Sequence, residues 1–379
     1  MATLAEFSAA AAPRLGLGER IDRVSGRIMV LPAVLILLAF AIFPLIISAY
    51  LAISRFSLAA GGFKLRFVGM ANFQKILVGS QQYHFLGVFG ALGAVQWLVI
   101  AVLALALILL MARYLRSGTA SVLGFLGRLI SSIAVLGLTA LMVATLSAGG
   151  VPGTLVTTLL YVVIGVIAQF LLGLGLALLC GQPIRGRNFF RVVFFIPLML
   201  TPVGIAYTFR MLADMQKGPF APFTQALGLS EWSWSSEAWS ARLMVIVGDT
   251  WQWTPFMFIV LLAAIENQPR EQVEAARLDG AGGWRVFRDI TWPAIAPVAA
   301  TIVLIRLIEA FKIIDLPNVL TGGGPGLATE SMTLHSFIAW RTQDLGASAA
   351  IGYMLLFVST VVCVSFFNFV VRPARRFEA

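Results

Sequence analysis

Residues 154–180 read T-L-V-T-T-L-L-Y-V-V-I-G-V-I-A-Q-F-L-L-G-L-G-L-A-L-L-C, 27 residues without one Asp, Glu, Lys or Arg. A helix needs about 20 mostly apolar residues to cross a bilayer core ~30 Å thick. Strands of a membrane barrel are short and alternate apolar with polar positions, and this run does neither. It is read as a membrane-spanning helix. The same criterion gives further spans at 28–54, 85–112, 129–148, 190–213, 243–265, 293–314 and 350–371. Composition agrees: 59% of the 379 residues are apolar and 12% are charged. A soluble domain carries about a quarter charged residues, and no soluble fold of this length covers its surface with so few polar groups. Disorder needs the opposite balance. The fold class is therefore all-α, a polytopic membrane helical bundle of eight transmembrane helices.

The first stretch, 28–54, is too long for a signal-peptide core and no small-x-small cleavage site follows it. Pro32, Pro44, Pro197, Pro202, Pro255, Pro293 and Pro297 lie in or at the ends of spans, where they predict kinks or helix ends. Cys180 and Cys363 both sit in apolar stretches, too few for a metal site and badly placed for a disulfide. His84 and His335 are the only histidines and form no H-E-x-x-H pattern. They are read as loop residues that hydrogen-bond, and no catalytic or metal residue is assigned.

The net charge of +10 reflects topology rather than nucleic acid, since no basic run is interleaved with exposed aromatics. Cytoplasmic loops collect Lys and Arg. With the N-terminus inside, the inner segments hold Arg14, Arg20, Arg23 and Arg27; Arg113, Arg116 and Arg128; Arg185, Arg187 and Arg191; Arg270, Arg277, Arg285 and Arg288; and Arg372, Arg375 and Arg376. These are 17 of the 27 basic residues. Both termini are expected inside and 214–242 outside, where Trp232, Trp234 and Trp239 suit an interfacial belt.

The inner segment 266–292 reads E-N-Q-P-R-E-Q-V-E-A-A-R-L-D-G-A-G-G-W-R-V-F-R-D-I-T-W. Val273 and Ala276 give a short helix an apolar side, Gly280, Gly282 and Gly283 allow a turn, and Trp284, Phe287 and Ile290 stripe a second short helix. Pro293 suits the first turn of the next span. Such a helix-turn-helix on a membrane face is a docking element for a soluble partner.

Glu274-Ala275-Ala276, Gly280, Ile290 and Pro293 stand at the spacing of the E-A-A loop of bacterial ABC importer permeases, which this segment resembles. Trp292 stands where that family usually has Leu. Leu278-Asp279-Gly280-Ala281 resembles the carbohydrate, maltose-type branch. Phe67-Val68-Gly69 with Asn72-Phe73, Phe190-Arg191 with Pro197, Trp253 with Pro255-Phe256, and Thr321-Gly322-Gly323-Gly324-Pro325 resemble further family segments in the same order. The resemblance covers 28–80 and 154–371. It divides the chain into a cytoplasmic tail 1–27, a first span with its periplasmic loop 28–84, an extra transmembrane hairpin 85–150, a permease core 151–371 with coupling loop 266–292, and a cytoplasmic tail 372–379. The hairpin preserves the direction of every later span, and packing is its expected role.

The resemblance implies a permease subunit of a binding-protein-dependent importer in the bacterial inner membrane, moving a sugar or oligosaccharide by alternating access. It implies a second homologous permease, two cytoplasmic ATPase subunits and a periplasmic substrate-binding protein docking on 214–242 and 315–349. This chain is expected to hold no cofactor. Its four lysines, Lys64, Lys75, Lys217 and Lys312, never follow a glycine, so it has no G-x-x-x-x-G-K loop; ATP and magnesium belong to the partner ATPase. Alternatives are a glycerol phosphate or polyol as solute, or an ion-coupled secondary transporter, whose usual internal repeat is missing from this sequence.

Two sets of site residues follow. Glu274, Ala275, Ala276, Asp279 and Gly280 form the ATPase-coupling loop by resemblance. Charged residues inside a membrane face a cavity or each other, and Arg306, Glu309, Lys312 and Asp315 alternate in sign every three residues. They predict either a self-neutralising ribbon along the span or part of a polar path. By resemblance the sugar contacts fall at Glu309, Ala310 and Ile313. Asp249 and Trp253, four apart and so on one helical face, join Arg306 as substrate-pathway candidates, with the indole able to stack on a sugar ring.

Overall fold

The computed structural model describes residues 25, 29–59, 62–116, 121–182, 185–215, 217–219, 221–226, 228 and 233–372. Arg14, Arg20, Arg23, Arg27, Trp232, Arg375, Arg376 and nearly all of both tails lie outside them. The chain divides into a unit ending at Leu51 and a unit from Ala52 onward. The first is built on helix α1, Met29–Ala52.

In the second unit, β1 (Ser54–Ala59) and β2 (Gly62–Phe67) form an antiparallel hairpin. The short helices α2 (Ala71–Leu77) and α3 (Gln82–Phe85) follow, then β3 (Gly87–Val88). Asn72 of α2 donates from Nδ2 to the carbonyls of Ala52 and Ser54, at 2.8 and 2.9 Å. The long helices α4 (Ala94–Leu115) and α5 (Val122–Leu146) make the extra hairpin. Its two ends meet in a miniature sheet, because β3 pairs with β4 (Val151–Pro152) through Gly87↔Pro152 and Val88↔Val151. The insertion is thus closed at its base.

The core follows as α6 (Thr154–Cys180), α7 (Arg187–Met199), α8 (Pro202–Leu212), α9 (Ala238–Glu266), α10 (Arg270–Leu278), α11 (Gly283–Ala310), α12 (Asp315–Thr321), α13 (Met332–Arg341) and α14 (Leu345–Val371). Helix α6 lies closest against α9. Gly173 makes that possible, since a Cβ there would stand 2.5 Å from Met257 Cβ. Met257, Phe258, Leu261 and Leu262 of α9 pack with Val162, Val166 and Ala177 of α6 in the main core. Helix α5 packs on α14, and Arg128 places its guanidinium 3.6 Å from the Tyr114 ring centroid while reaching the Asn368 carbonyl.

Seven helices among the described residues are long and apolar enough to span a membrane, and an eighth span is counted if α7 and α8 are taken together. The single span expected over 190–213 is instead broken, with α7 and α8 bent by 100°. Leu200 is extended, Thr201 caps α8 by accepting from the Gly204 amide, and Pro202 fills the first turn, where its missing N–H costs nothing. The separate second helix expected in the 266–292 loop does not exist: it is the start of α11, continuous from Gly283 to Ala310. A wide π-turn at Phe287–Thr291 carries the helix past Pro293. The same device precedes Pro44, with a π-turn at Leu38–Ile42, and a third at Phe367–Val371 stands two residues before Pro373 in the sequence. A proline ring crowds the carbonyl four residues back, and one extra residue in the preceding turn moves that carbonyl aside. Trp234 also departs from expectation. It is buried among Val245, Ile246 and Leu316 rather than placed in a belt, whereas Trp239 is exposed.

Candidate functional site

The buried faces of α6, α9 and α11 bring three polar side chains together. Gln169, Asp249 and Arg306 are 0%, 5% and 1% exposed. Arg306 Nη2 lies 2.5 Å from Asp249 Oδ2, and Arg306 Nε donates to Gln169 Oε1 at 2.8 Å. Gln169 Nε2 closes the triangle by donating to Asp249 Oδ2 at 2.8 Å and to the Asp249 carbonyl at 3.2 Å. The Trp253 ring centroid stands 4.5 Å from the Arg306 guanidinium carbon, so its π-face shields the cation. Gly165, one turn before Gln169, leaves room: a Cβ there would be 3.3 Å from Asp249 Oδ2. Taking a charge pair out of water is costly, and the pair survives burial only with its remaining hydrogen bonds satisfied. Gln169 supplies them.

The charge ribbon anticipated from Arg306 to Asp315 is therefore not what forms. Arg306 turns inward to α9. Helix α11 ends at Ala310, so the three-residue period is lost beyond it. Glu309 bonds Lys312 at 2.7 Å on a half-exposed surface, and Asp315 opens α12. Ala310 is buried in the main core, and Ile313 packs at the edge of a second cluster around Leu316 and Leu320. The structure joins Arg306, Asp249 and Trp253 in one constellation and leaves Glu309, Ala310 and Ile313 beside its outer end. Gln169 was missed from sequence. A lone amide inside a 27-residue run without charge was the available signal.

A second functional element lies at the opposite end of α11. Helix α10 buries none of its residues, and Glu274 and Ala275 are exposed. It closes with Asp279 as C-cap and Gly280 at φ +80°. The Gly280 amide reaches the Arg277 carbonyl and the Ala281 amide the Ala276 carbonyl, the two bonds of a Schellman ending that needs a left-handed residue at Gly280. Leu278 is 88% and Trp284 73% exposed, large apolar groups displayed at the surface of this loop. From Trp284 an aromatic run passes through Phe287 and Trp292 to Phe170 of α6, with centroids 5.5 to 6.3 Å apart. Nearby, Arg191 pairs with Glu266 and donates to the Cys180 carbonyl, tying α7 to the ends of α6 and α9.

Past the other end of α11, the turn 321–331 is held by side chains of α6 and α9. Tyr161 donates to the Thr329 carbonyl at 3.0 Å, Arg242 to the Ala328 carbonyl at 2.7 Å, and Thr158 Oγ1 accepts from the Met332 amide at 2.8 Å. Gly322 and Gly323 hold φ of +64° and +93° within it.

A bundle of apolar helices that encloses a charged constellation and displays an exposed helical loop at one end defines a polytopic membrane protein. Residues 169–377 match the family described as "Binding-protein-dependent transport system inner membrane component", and the chain belongs to that family. Among its relatives is the trehalose/maltose transport system permease protein MalF of Thermococcus litoralis, 33% identical over 215 residues that cover 57% of this chain and 71% of that protein. The sn-glycerol-3-phosphate transport system permease protein UgpA of Salmonella typhi is 28% identical over 221 residues, 58% of this chain and 75% of that one. A crystal structure of a bacterial alginate ABC transporter in complex with its alginate pentasaccharide-bound periplasmic protein shares the fold, with TM-score 0.59 at 16% identity over 95% of this chain and 98% of the other.

Proposed function

We propose that this chain forms half of the translocation path of an ATP-driven importer for a sugar or oligosaccharide, beside a second homologous permease. The observation that carries the proposal is the continuity of α11. One helix runs from Gly283, at the exposed loop, to Arg306 in the buried constellation. The 23 residue steps from Gly283 to Arg306 give a rod about 35 Å long.

The count of 17 basic residues in these segments supports a topology with both termini and the 266–292 loop in the cytoplasm. There α10 docks in a cleft of one of two partner ATPase subunits, which hold the ATP and magnesium. The exposed Leu278 and Trp284 suit such a contact. Closure of the ATPase pair moves α10, and α11 transmits the motion to the Asp249–Arg306 pair. The binding protein delivers substrate to the outer segments 214–242 and 315–349. When α11 shifts, the constellation opens and its donors and acceptors meet sugar hydroxyls, with the Trp253 face available for a ring. Glu309, Ala310 and Ile313 border the outer approach. Hydrolysis resets the arrangement.

A second solute class, a glycerol phosphate, is favoured by one observation: the relative that covers the larger share of its own length carries that name. The Arg306 guanidinium is a group suited to such an anion. Binding of the cognate periplasmic protein to a panel of mono- and oligosaccharides and glycerol phosphates tests the choice. Saturable sugar binding supports the proposal, and binding of glycerol phosphate alone replaces it with the second reading.

A further inference from the structure

We propose that His84, Glu330 and His335 form a binding site for a divalent transition metal of the zinc class, at the outer turn of the permease. The three residues come from separate segments: α3, the end of the 321–331 turn, and α13. One ring nitrogen of each histidine and one Glu330 oxygen lie within 4.8 Å of one another. Two imidazoles and a carboxylate are a usual donor set for zinc with one position left open.

The unmade hydrogen bonds point to a ligand. His84 Nε2 and Glu330 Oε1 lie 3.1 Å apart, yet they are not aligned as a hydrogen bond and neither has another partner. Both atoms are buried, and Glu330 as a whole is 2% exposed. A buried carboxylate oxygen without a donor is costly, and a cation drawn between these atoms removes the cost. His335 is set for the role by its other contact: Nδ1 lies 3.2 Å from Thr154 Oγ1, the kind of outer partner that fixes a ligating imidazole.

The two rings stack with centroids 3.8 Å apart and planes 17° from parallel. A metal at their common edge lies between the planes, so ligation requires one ring to tilt. His84 is the ring that can: its side chain is 19% exposed, whereas His335 is buried. A bound metal would then tie the segment leading into the extra hairpin to the turn held by Tyr161, Arg242 and Thr158.

The full chain, purified in detergent with any affinity tag removed and dialysed against chelator, is titrated with Co²⁺ and then Zn²⁺. One equivalent of Co²⁺ giving tetrahedral visible bands, displaced by Zn²⁺, is expected, with Zn²⁺ raising thermal stability. His84→Ala removes the least buried ligand and is expected to weaken Zn²⁺ binding by more than about tenfold. Glu330→Gln and His335→Ala are expected to abolish the Co²⁺ bands. A wild-type chain that takes up less than one equivalent, or His84→Ala binding Zn²⁺ as tightly as wild type, overturns the proposal.

Discussion

Replacing Asp249 by Leu leaves Arg306 buried at 1% exposure with only the Gln169 oxygen and the Trp253 face for company. Breaking one side of a buried pair costs about 3–5 kcal/mol, because the surviving charge stays desolvated. Arg306→Met strands Asp249 in the same way and carries a similar cost of about 3–5 kcal/mol. Independent losses would sum to about 6–10 kcal/mol in the double variant. The geometry predicts otherwise. Asp249→Leu/Arg306→Met removes both charges and strands only the Gln169 amide, at about 1–3 kcal/mol. The double variant is therefore expected to be more stable than either single one, with a coupling energy of at least about 3 kcal/mol. Denaturant unfolding in micelles reads the four proteins of the cycle. Additive losses would refute the closed triangle. Transport adds a second reading: a double variant that folds but no longer imports assigns the pair to the substrate path, and one that imports normally assigns it to bundle stability.

Gly280→Val forces a β-branched residue into φ +80° where a Cβ meets no neighbour, so it is expected to reach the membrane at wild-type level, losing about 1–2 kcal/mol locally, while binding-protein stimulation of the ATPase falls away. Gly173→Ala drives a methyl to 2.5 Å from Met257 Cβ and is expected to cost about 1–3 kcal/mol, seen as lowered yield and melting temperature. Gly175→Ala, with nothing within 4 Å, is expected to hold or raise stability by about 0.5–1 kcal/mol. A cysteine placed at Gly283 is expected to resist impermeant thiol reagent applied to intact cells and to react once the inner face is opened; reaction in intact cells would reverse the topology.

The spans were legible because hydrophobic length alone decides them, as in 154–180. The exposed α10 with its Gly280 ending was legible too, since both spacing and glycine placement are local signals. What sequence reading could not supply was the partner of each buried charge. Arg306 and Glu309 stand three apart and read as a ladder, yet the helix ends one residue after Glu309, and Arg306 pairs 57 positions away with Asp249. The break at Leu200–Thr201 is written locally in Thr201-Pro202, where a cap precedes a helix-starting proline, but a proline near a span predicts a kink or a helix end without deciding between them. His84 and His335 read as unrelated loop residues because their meeting depends on the fold, which sets α3 beside α13.

The most direct test of ATP-driven import through this chain is solute uptake into proteoliposomes containing both permeases and the ATPase pair, with loaded binding protein outside and ATP inside. Uptake above the external concentration is expected only with internal ATP, insensitive to an ionophore, and lost in Gly280→Val. Accumulation driven by an ion gradient without ATP, or unchanged uptake in Gly280→Val, would contradict it.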